Sequence, residues 1–281
     1  MSYVDLAPSA RELRDVRYLF TDIDDTLTTE GKLLPQTYEA LWDLSRAGIA
    51  VVPVTGGSAG WCEHIVRAWP VAAVIGESGA YCVTRQDGAV VFDYWEDATL
   101  QAERQRQHLQ AIKELVSQGS KTFRIAHDQV FRLADVAIDI QGHDPREVED
   151  LASSIRAIGG TVAISSIHIN TWIGDYNKRS MSERVLTEIF GIDSAETPAV
   201  TAFVGDSRND APMFGFIRNS FGVNNIIPVL SQLQYAPKWV SSQPAGLGFA
   251  DIAQTILDAA GAGSETSRQL LTEPAVMPAR K

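Results

Sequence analysis

Cysteine is scarce in this chain, and long apolar runs and an excess of basic charge are missing. Two cysteines, Cys62 and Cys82, among 281 residues provide neither a disulfide framework nor zinc-ligand spacing, so a reduced, cytoplasmic chain is expected. No window approaches the roughly 20 apolar residues of a membrane span. The opening MSYVDLAPSARELRD has no apolar stretch of the export-signal type. Lys and Arg number 24 against 35 Asp and Glu, a formal net charge of -11. A protein that wraps nucleic acid or lies on an anionic membrane needs a basic face, so neither partner is expected. A small anionic substrate needs only a local positive site and stays open. The length is enough to bury a proper core in one large domain or two smaller ones.

What is present alternates. VRYLFTD reads as a buried strand, and Pro35 then opens an amphipathic run closed by Gly48. IAVVPVTGG is apolar and turns abruptly Gly-rich; SAGWCEHIVRAW reads as a helix and VAAVIG as a short strand. This βαβαβ rhythm predicts a parallel sheet with helices on both faces. It returns late, as KRSMSERVLTEIFG, TAFVGD, NDAPMFGFI, SFGV and a last helix ADIAQTILDAA. The middle differs. TRQDGAVVF carries a hairpin signal at Asp87-Gly88, followed by a long polar helix, strand-like QVFRLADVAIDI, helix-like DPREVEDLASSIRAI, and two short strands, TVAIS and IHINTWI. The expected architecture is α/β, a Rossmann-like doubly wound parallel sheet with an inserted α+β cap. Its core spans 1–83 and 174–262, its cap 84–173, and a solvated tail 263–281.

In such sheets reactive groups collect at the carboxyl ends of strands. Here YLFTDIDDTL runs from apolar residues straight into Asp22, Asp24 and Asp25. Crowding like charges there costs free energy unless a cation or a reaction offsets it. Other loaded points are Thr55 with Gly56 and Gly57, Lys178 with its neighbour and rival Arg179, and Gly205, Asp206, Asn209 and Asp210 in VGDSRNDAPMF.

DIDDT resembles the Asp-x-Asp-x-Thr signature of the haloacid dehalogenase superfamily, most members of which hydrolyse phosphate monoesters. A strand-end Thr, a Lys and a Gly-Asp-x-x-x-Asp follow in that superfamily's order. GDSRNDAPMF is close to the form found in its large-cap, Cof-like branch. That branch includes sucrose-, trehalose- and mannosylphosphoglycerate phosphatases and phosphomannomutase. The resemblance covers about residues 16 to 260.

The resemblance implies a Mg2+-dependent phosphatase acting on a small phosphorylated metabolite, a sugar phosphate or phosphoglycerate-type ester. Asp22 would attack phosphorus to form an aspartyl-phosphate. Asp24 would act as general acid and then general base. The carboxylates of Asp22 and Asp206 and the backbone carbonyl of Asp24 would hold the metal. Thr55, Gly56 and Lys178 would grip the phosphate oxygens, with Asn209 and Asp210 behind them. Asp25, standing where the family commonly has Gly, is expected to cap or to point to solvent. In the cap, Arg124, Arg132, His168 and Asn170 are candidate substrate contacts, while His108 and His143 look like exposed residues. A monomer or homodimer is expected.

Two departures from the family pattern bear on the substrate. Gly57-Ser58 replaces the Arg that many relatives carry after Thr-Gly, and is similar to the Gly-Gly-Ser of phosphomannomutases. Ser78 stands where Asn is frequent. The alternatives are therefore a phosphohexomutase and a catalytically silent sugar-phosphate-binding protein.

Overall fold

A computed structural model describes residues 8–118 and 123–261; the expected tail at 263–281 lies outside them. The central sheet is parallel. Its strands lie in the order Trp239–Val240, Asn219–Gly222, Thr201–Gly205, Tyr18–Thr21 and Ala50–Pro53. Each strand alternates between two apolar layers, the period-2 signature of a sheet covered on both faces. Leu19, Val51 and Ala202 face one layer, with the helices Pro35–Arg46, Ala59–Ala68 and Ala245–Gly261. Phe20, Val52 and Phe203 face the other, with the helical segments beginning at Lys178 and Ala211. The doubly wound α/β core is therefore present.

Beyond Ala50–Pro53 the parallel pattern stops. A single bridge, Val54 with Ile75, leads to an antiparallel extension of Ala73–Gly76, Tyr81–Gln86 and Ala89–Tyr94. The turn sits at Asp87 and Gly88, both at positive φ (50° and 82°), as a primed two-residue hairpin requires. Tyr81 and Val83 pack in the core layer with Leu19, so this hairpin packs with the core. Sequence reading put it in the insertion, and residue 84, the expected start of the cap, lies mid-strand. A hairpin signal carries no information about the neighbour to which it pairs.

The inserted segment forms its own antiparallel sheet, in the order Thr161–Ile164, His168–Trp172, Val136–Asp139 and Arg124–Ile125. Helices Ala98–Gln118 and Pro145–Ala157 cover one face, where Ile112, Val136, Ile138, Leu151, Ile155 and Ile169 form a separate apolar cluster. His108 lies inside this face and bonds Thr171 Oγ1 through Nε2 at 2.8 Å. It is 4% exposed, which corrects the reading of an exposed helix residue; the polar run around it masked the inward position. His143 is half-buried and stacks on Phe123. The residues in between, among them Ala163 and Asn170, point the other way, toward the core.

Candidate active site

Parallel register places the first acids. Thr21 pairs with Val204, and the Asp22 amide donates to the Val204 carbonyl. Residues 22 and 206, which lie just past the ends of adjacent strands, must therefore lie side by side. This is the crevice where strand order reverses, the usual ligand position in open α/β sheets. One carboxylate oxygen from each of Asp22, Asp206 and Asp210 falls within 4.8 Å of the others.

Lys178 opens the helix Lys178–Arg184 behind the Asn177 N-cap and reaches into this cluster. Its Nζ lies 2.5 Å from Asp22 Oδ1 and 2.9 Å from Asp210 Oδ1. Arg179 is exposed and lies over the Phe216 ring, so Lys178 is the lysine or arginine of this helix start that enters the site. Both flanking carboxylates hold the Lys178 ammonium charged, well above its ordinary range, despite burial. Burial pushes the Asp22 carboxyl up against the pull of Lys178, and Asp210 and Asp206 add to the push. Asp206 is raised to about 7 by burial and by Asp210. Three buried carboxylates around one ammonium leave an excess of negative charge and hard oxygen donors, a donor set that suits Mg2+.

The three carboxylates are not equivalent. Asp210 Oδ1 accepts from Lys178, and Oδ2 accepts from the amides of Asp206 (3.0 Å) and Ser207 (3.2 Å). It positions Lys178 and the Asp206 loop. Asp206 accepts from Thr26 Oγ1 at 3.3 Å and Asn225 Nδ2 at 3.0 Å, one donor per oxygen, and so keeps lone pairs for a cation. Asn225 also donates to the Asp25 carbonyl at 3.0 Å, tying the two acidic loops together. Sequence reading missed Asn225, although SFGVNN is another strand ending in polar residues.

The Thr55–Gly57 loop is held from behind. The Ser78 amide donates to the Thr55 carbonyl, and the Glu77 amide to that of Gly57. Arg132 Nη1 (2.9 Å) and Asn170 Nδ2 (3.1 Å) donate to the Gly56 carbonyl. With its carbonyls turned away, this loop presents the Gly56 N–H, which has no acceptor among the described residues; Thr55 is buried and does not line the cavity, and its hydroxyl accepts from the Gly57 amide at 2.9 Å.

Core and cap walls enclose a cavity of about 150 Å³ lined by Asp22, Asp24, Gly56, Asp206 and Asn209, and on the cap side by Arg132, His168 and Asn170. Asp24 is half-buried there, and burial raises its carboxyl. Arg124 is exposed on the far edge strand of the cap and does not line the cavity. Asp25, at φ 58°, is half-buried, and its carboxylate accepts from Ser166 Oγ of the cap at 3.0 Å in a solvent-exposed contact. Trp61, 38% exposed, also lines the cavity.

A family model described as haloacid dehalogenase-like hydrolase matches residues 19–130, which include Asp22, Asp24 and Thr55 but not Lys178 or Asp206. No curated protein matches. Among solved structures, a Thermoplasma acidophilum protein aligns with TM-score 0.67 at 18% identity, over 86% of this chain and 98% of its own. The sucrose-phosphatase of Synechocystis, solved with sucrose and phosphate, aligns with TM-score 0.63 at 18% identity, over 86% and 98%. A HAD/COF-like hydrolase of Plasmodium vivax aligns with TM-score 0.65 at 17% identity, over 89% and 98%. Residues 19–130 are thus similar in sequence to haloacid dehalogenase-like hydrolases, and core and cap together share the fold of these solved structures.

Proposed function

We propose that this chain is a Mg2+-dependent phosphatase that hydrolyses a small phosphate monoester with an uncharged, hydroxyl-rich leaving group. The observation that carries the reading is the meeting of Asp22, Lys178, Asp206 and Asp210 at one point, with Asp24 in the same cavity. Asp22 attacks phosphorus, and the departing alkoxide takes the proton of Asp24, whose carboxyl burial keeps more readily protonated. Asp24, now ionised, removes a proton from the water that opens the aspartyl-phosphate. Such proton transfer contributes about 10²–10⁴-fold. Thr55, the Gly56 N–H and Lys178 hold the phosphate oxygens while charge moves across them. Asp22, Asp206 and the Asp24 carbonyl would hold Mg2+, which when bound would supply the positive charge that lets a carboxylate approach a phosphate dianion.

Charge on the cap wall favours a neutral leaving group. Arg132 is taken up by Asp128 (2.9 Å) and Asp135 (2.9 Å). His168 pairs with Asp139 at 3.0 Å. Neither is left to recognise a carboxylate or a second phosphate, which weighs against a phosphoglycerate-type ester and against a mutase working through a bisphosphate. The sucrose-phosphatase likeness agrees with a sugar phosphate.

The test is phosphate release from a panel of neutral sugar phosphates, phosphorylated sugar acids and hexose bisphosphates, with Mg2+ and with chelator. Free phosphate from the neutral esters, abolished by chelation, is expected. Isomerised hexose phosphate without free phosphate would establish the mutase instead, and turnover indifferent to metal would remove the ligand assignment.

A further inference from the structure

Glu77 is fully buried, sits at φ 42°, and is followed by Ser78 at φ 60°. Two successive non-glycine residues in the left-handed region are uncommon and persist where the surroundings impose them. Gly79 completes the turn at φ 114°; a Cβ there would lie 2.3 Å from the carbonyl oxygen of Asn177, the cap of the Lys178 helix. The turn is thus wedged between the Thr55–Gly57 loop and the base of Lys178.

The Glu77 carboxylate leaves the core and enters the cap. Oε2 accepts from the amides of Ala134 (2.6 Å) and Asp135 (2.9 Å), and Oε1 from that of Leu133 (2.9 Å). On the core side Oε1 accepts from the Tyr81 hydroxyl (2.9 Å) and the Ala59 amide (3.1 Å). Each of these hydrogen-bond partners is a donor, so the carboxylate form fits this nest even though burial and Asp135 push the group up to about 7. The segment so gripped carries Asp135, itself fully buried. Asp135 Oδ1 holds Arg132 Nη1 at 2.9 Å, and Oδ2 holds Asn170 Nδ2 at 2.9 Å. These same two nitrogens bind the Gly56 carbonyl.

Taking the phosphatase reading as its premise, we infer that Glu77 is a positioning residue that couples seating of the cap to the phosphate-binding peptide. It docks residues 133–135, and Asp135 thereby sets Arg132 and Asn170 on the Gly56 carbonyl, which fixes the Gly56–Gly57 peptide, while the Ser78 amide next to Glu77 holds the Thr55 carbonyl and with it the plane of the Gly56 N–H. Glu77 does not line the cavity. With residues 133–135 lifted from Glu77, the Gly56–Gly57 peptide loses both donors on its carbonyl and the Glu77–Ser78 turn loses its anchor, so an open cap has a poorly formed phosphate site. A peptide plane that can rotate is enough to matter, since about 1 Å of misplacement can cost on the order of 10²-fold in rate.

The experiment compares wild type, Glu77→Gln and Asp135→Asn. It measures kcat and KM on two esters of different leaving group, the Mg2+ activation constant, and orthophosphate binding by calorimetry in Mg2+. Glu77→Gln turns an amide NH2 toward backbone donors, and Asp135→Asn weakens the hold on Arg132 without disturbing the nest. Both should lose about tenfold or more in kcat on both esters and in orthophosphate affinity, with the Mg2+ constant unchanged. Variants that only melt earlier, with wild-type kcat and phosphate affinity, would overturn the inference. If Glu77→Gln does not fold, Asp135→Asn decides alone. A wild type that neither turns over an ester nor binds orthophosphate would instead sink the phosphatase reading.

Discussion

Lys178 Nζ bridges Asp22 Oδ1 at 2.5 Å and Asp210 Oδ1 at 2.9 Å, joining residues 156 and 32 positions apart in sequence. Removing this ammonium leaves buried like charges facing one another. Lys178→Ala should lower kcat by about 10²–10³-fold, the scale of losing one preorganised donor. It should also destabilise the fold by about 3–5 kcal/mol, the scale of orphaning a buried charge. Added Mg2+ should raise the melting temperature of the variant more than that of wild type, because the dication replaces the lost charge. Equal shifts measured by thermal melts with and without Mg2+ would contradict this.

Asp24 is expected to show itself through leaving-group dependence. Its carboxyl is raised by burial, opposed by Lys178 and reinforced by Asp25. As general acid it must be protonated, so kcat/KM for an alkyl ester should fall as pH rises through its folded-state pKa. An aryl ester, whose phenolate leaves without help, should show a weaker alkaline limb. Asp24→Asn should lose about 10²–10⁴-fold on the alkyl ester and much less in the first step with the aryl ester. Identical pH profiles and identical losses on both esters would remove Asp24 from the acid role.

Much of the site could be read in advance because its residues sit where strands end. Asp22, Thr55 and Asp206 each follow an apolar strand, and parallel pairing brings such ends together without any side-chain detail. Lys178 was legible from chain order and helix start. The cap was legible as elements but not as a surface. Arg132 and Asn170 turn toward Gly56, whereas Arg124 lies on the outer edge; the facing of a short strand depends on register, which one residue of slip inverts. Glu77 was invisible for a different reason. Its partners are backbone amides of residues 133–135, which any sequence possesses.

The buried His108 should give an acid-stability signature. Burial lowers its pKa from 6.5 to about 4. Between those values the unfolded chain binds the proton and the folded chain does not, so stability rises with pH there. The contribution is complete above about 6.5 and is lost as pH falls through about 4. His108→Gln, whose amide can still reach Thr171, should flatten this dependence. Urea midpoints of wild type and variant across pH 4 to 7 provide the check. Parallel curves would mean that the ring titrates in the fold as it does in water.

Among the described residues lining the cavity, Trp61 is the only Phe, Tyr or Trp. Its ring stacks on His64 at 5.5 Å and meets the edge of Trp69 at 5.9 Å, so its orientation is fixed while 38% of the residue stays exposed. A pre-oriented ring beside Gly57 can cover the apolar face of a pyranose or furanose without losing side-chain entropy on binding. An aromatic contact of this kind is worth about 0.5–1.5 kcal/mol, so Trp61→Ala should cost roughly 2–10-fold in kcat/KM on a cyclic sugar phosphate, mainly through KM. Glycerol phosphate, which has no ring to cover, should be nearly unaffected, and Mg2+ activation should not move. Equal losses on the two esters would place Trp61 in the packing of the helix Ala59–Ala68 rather than against the leaving group.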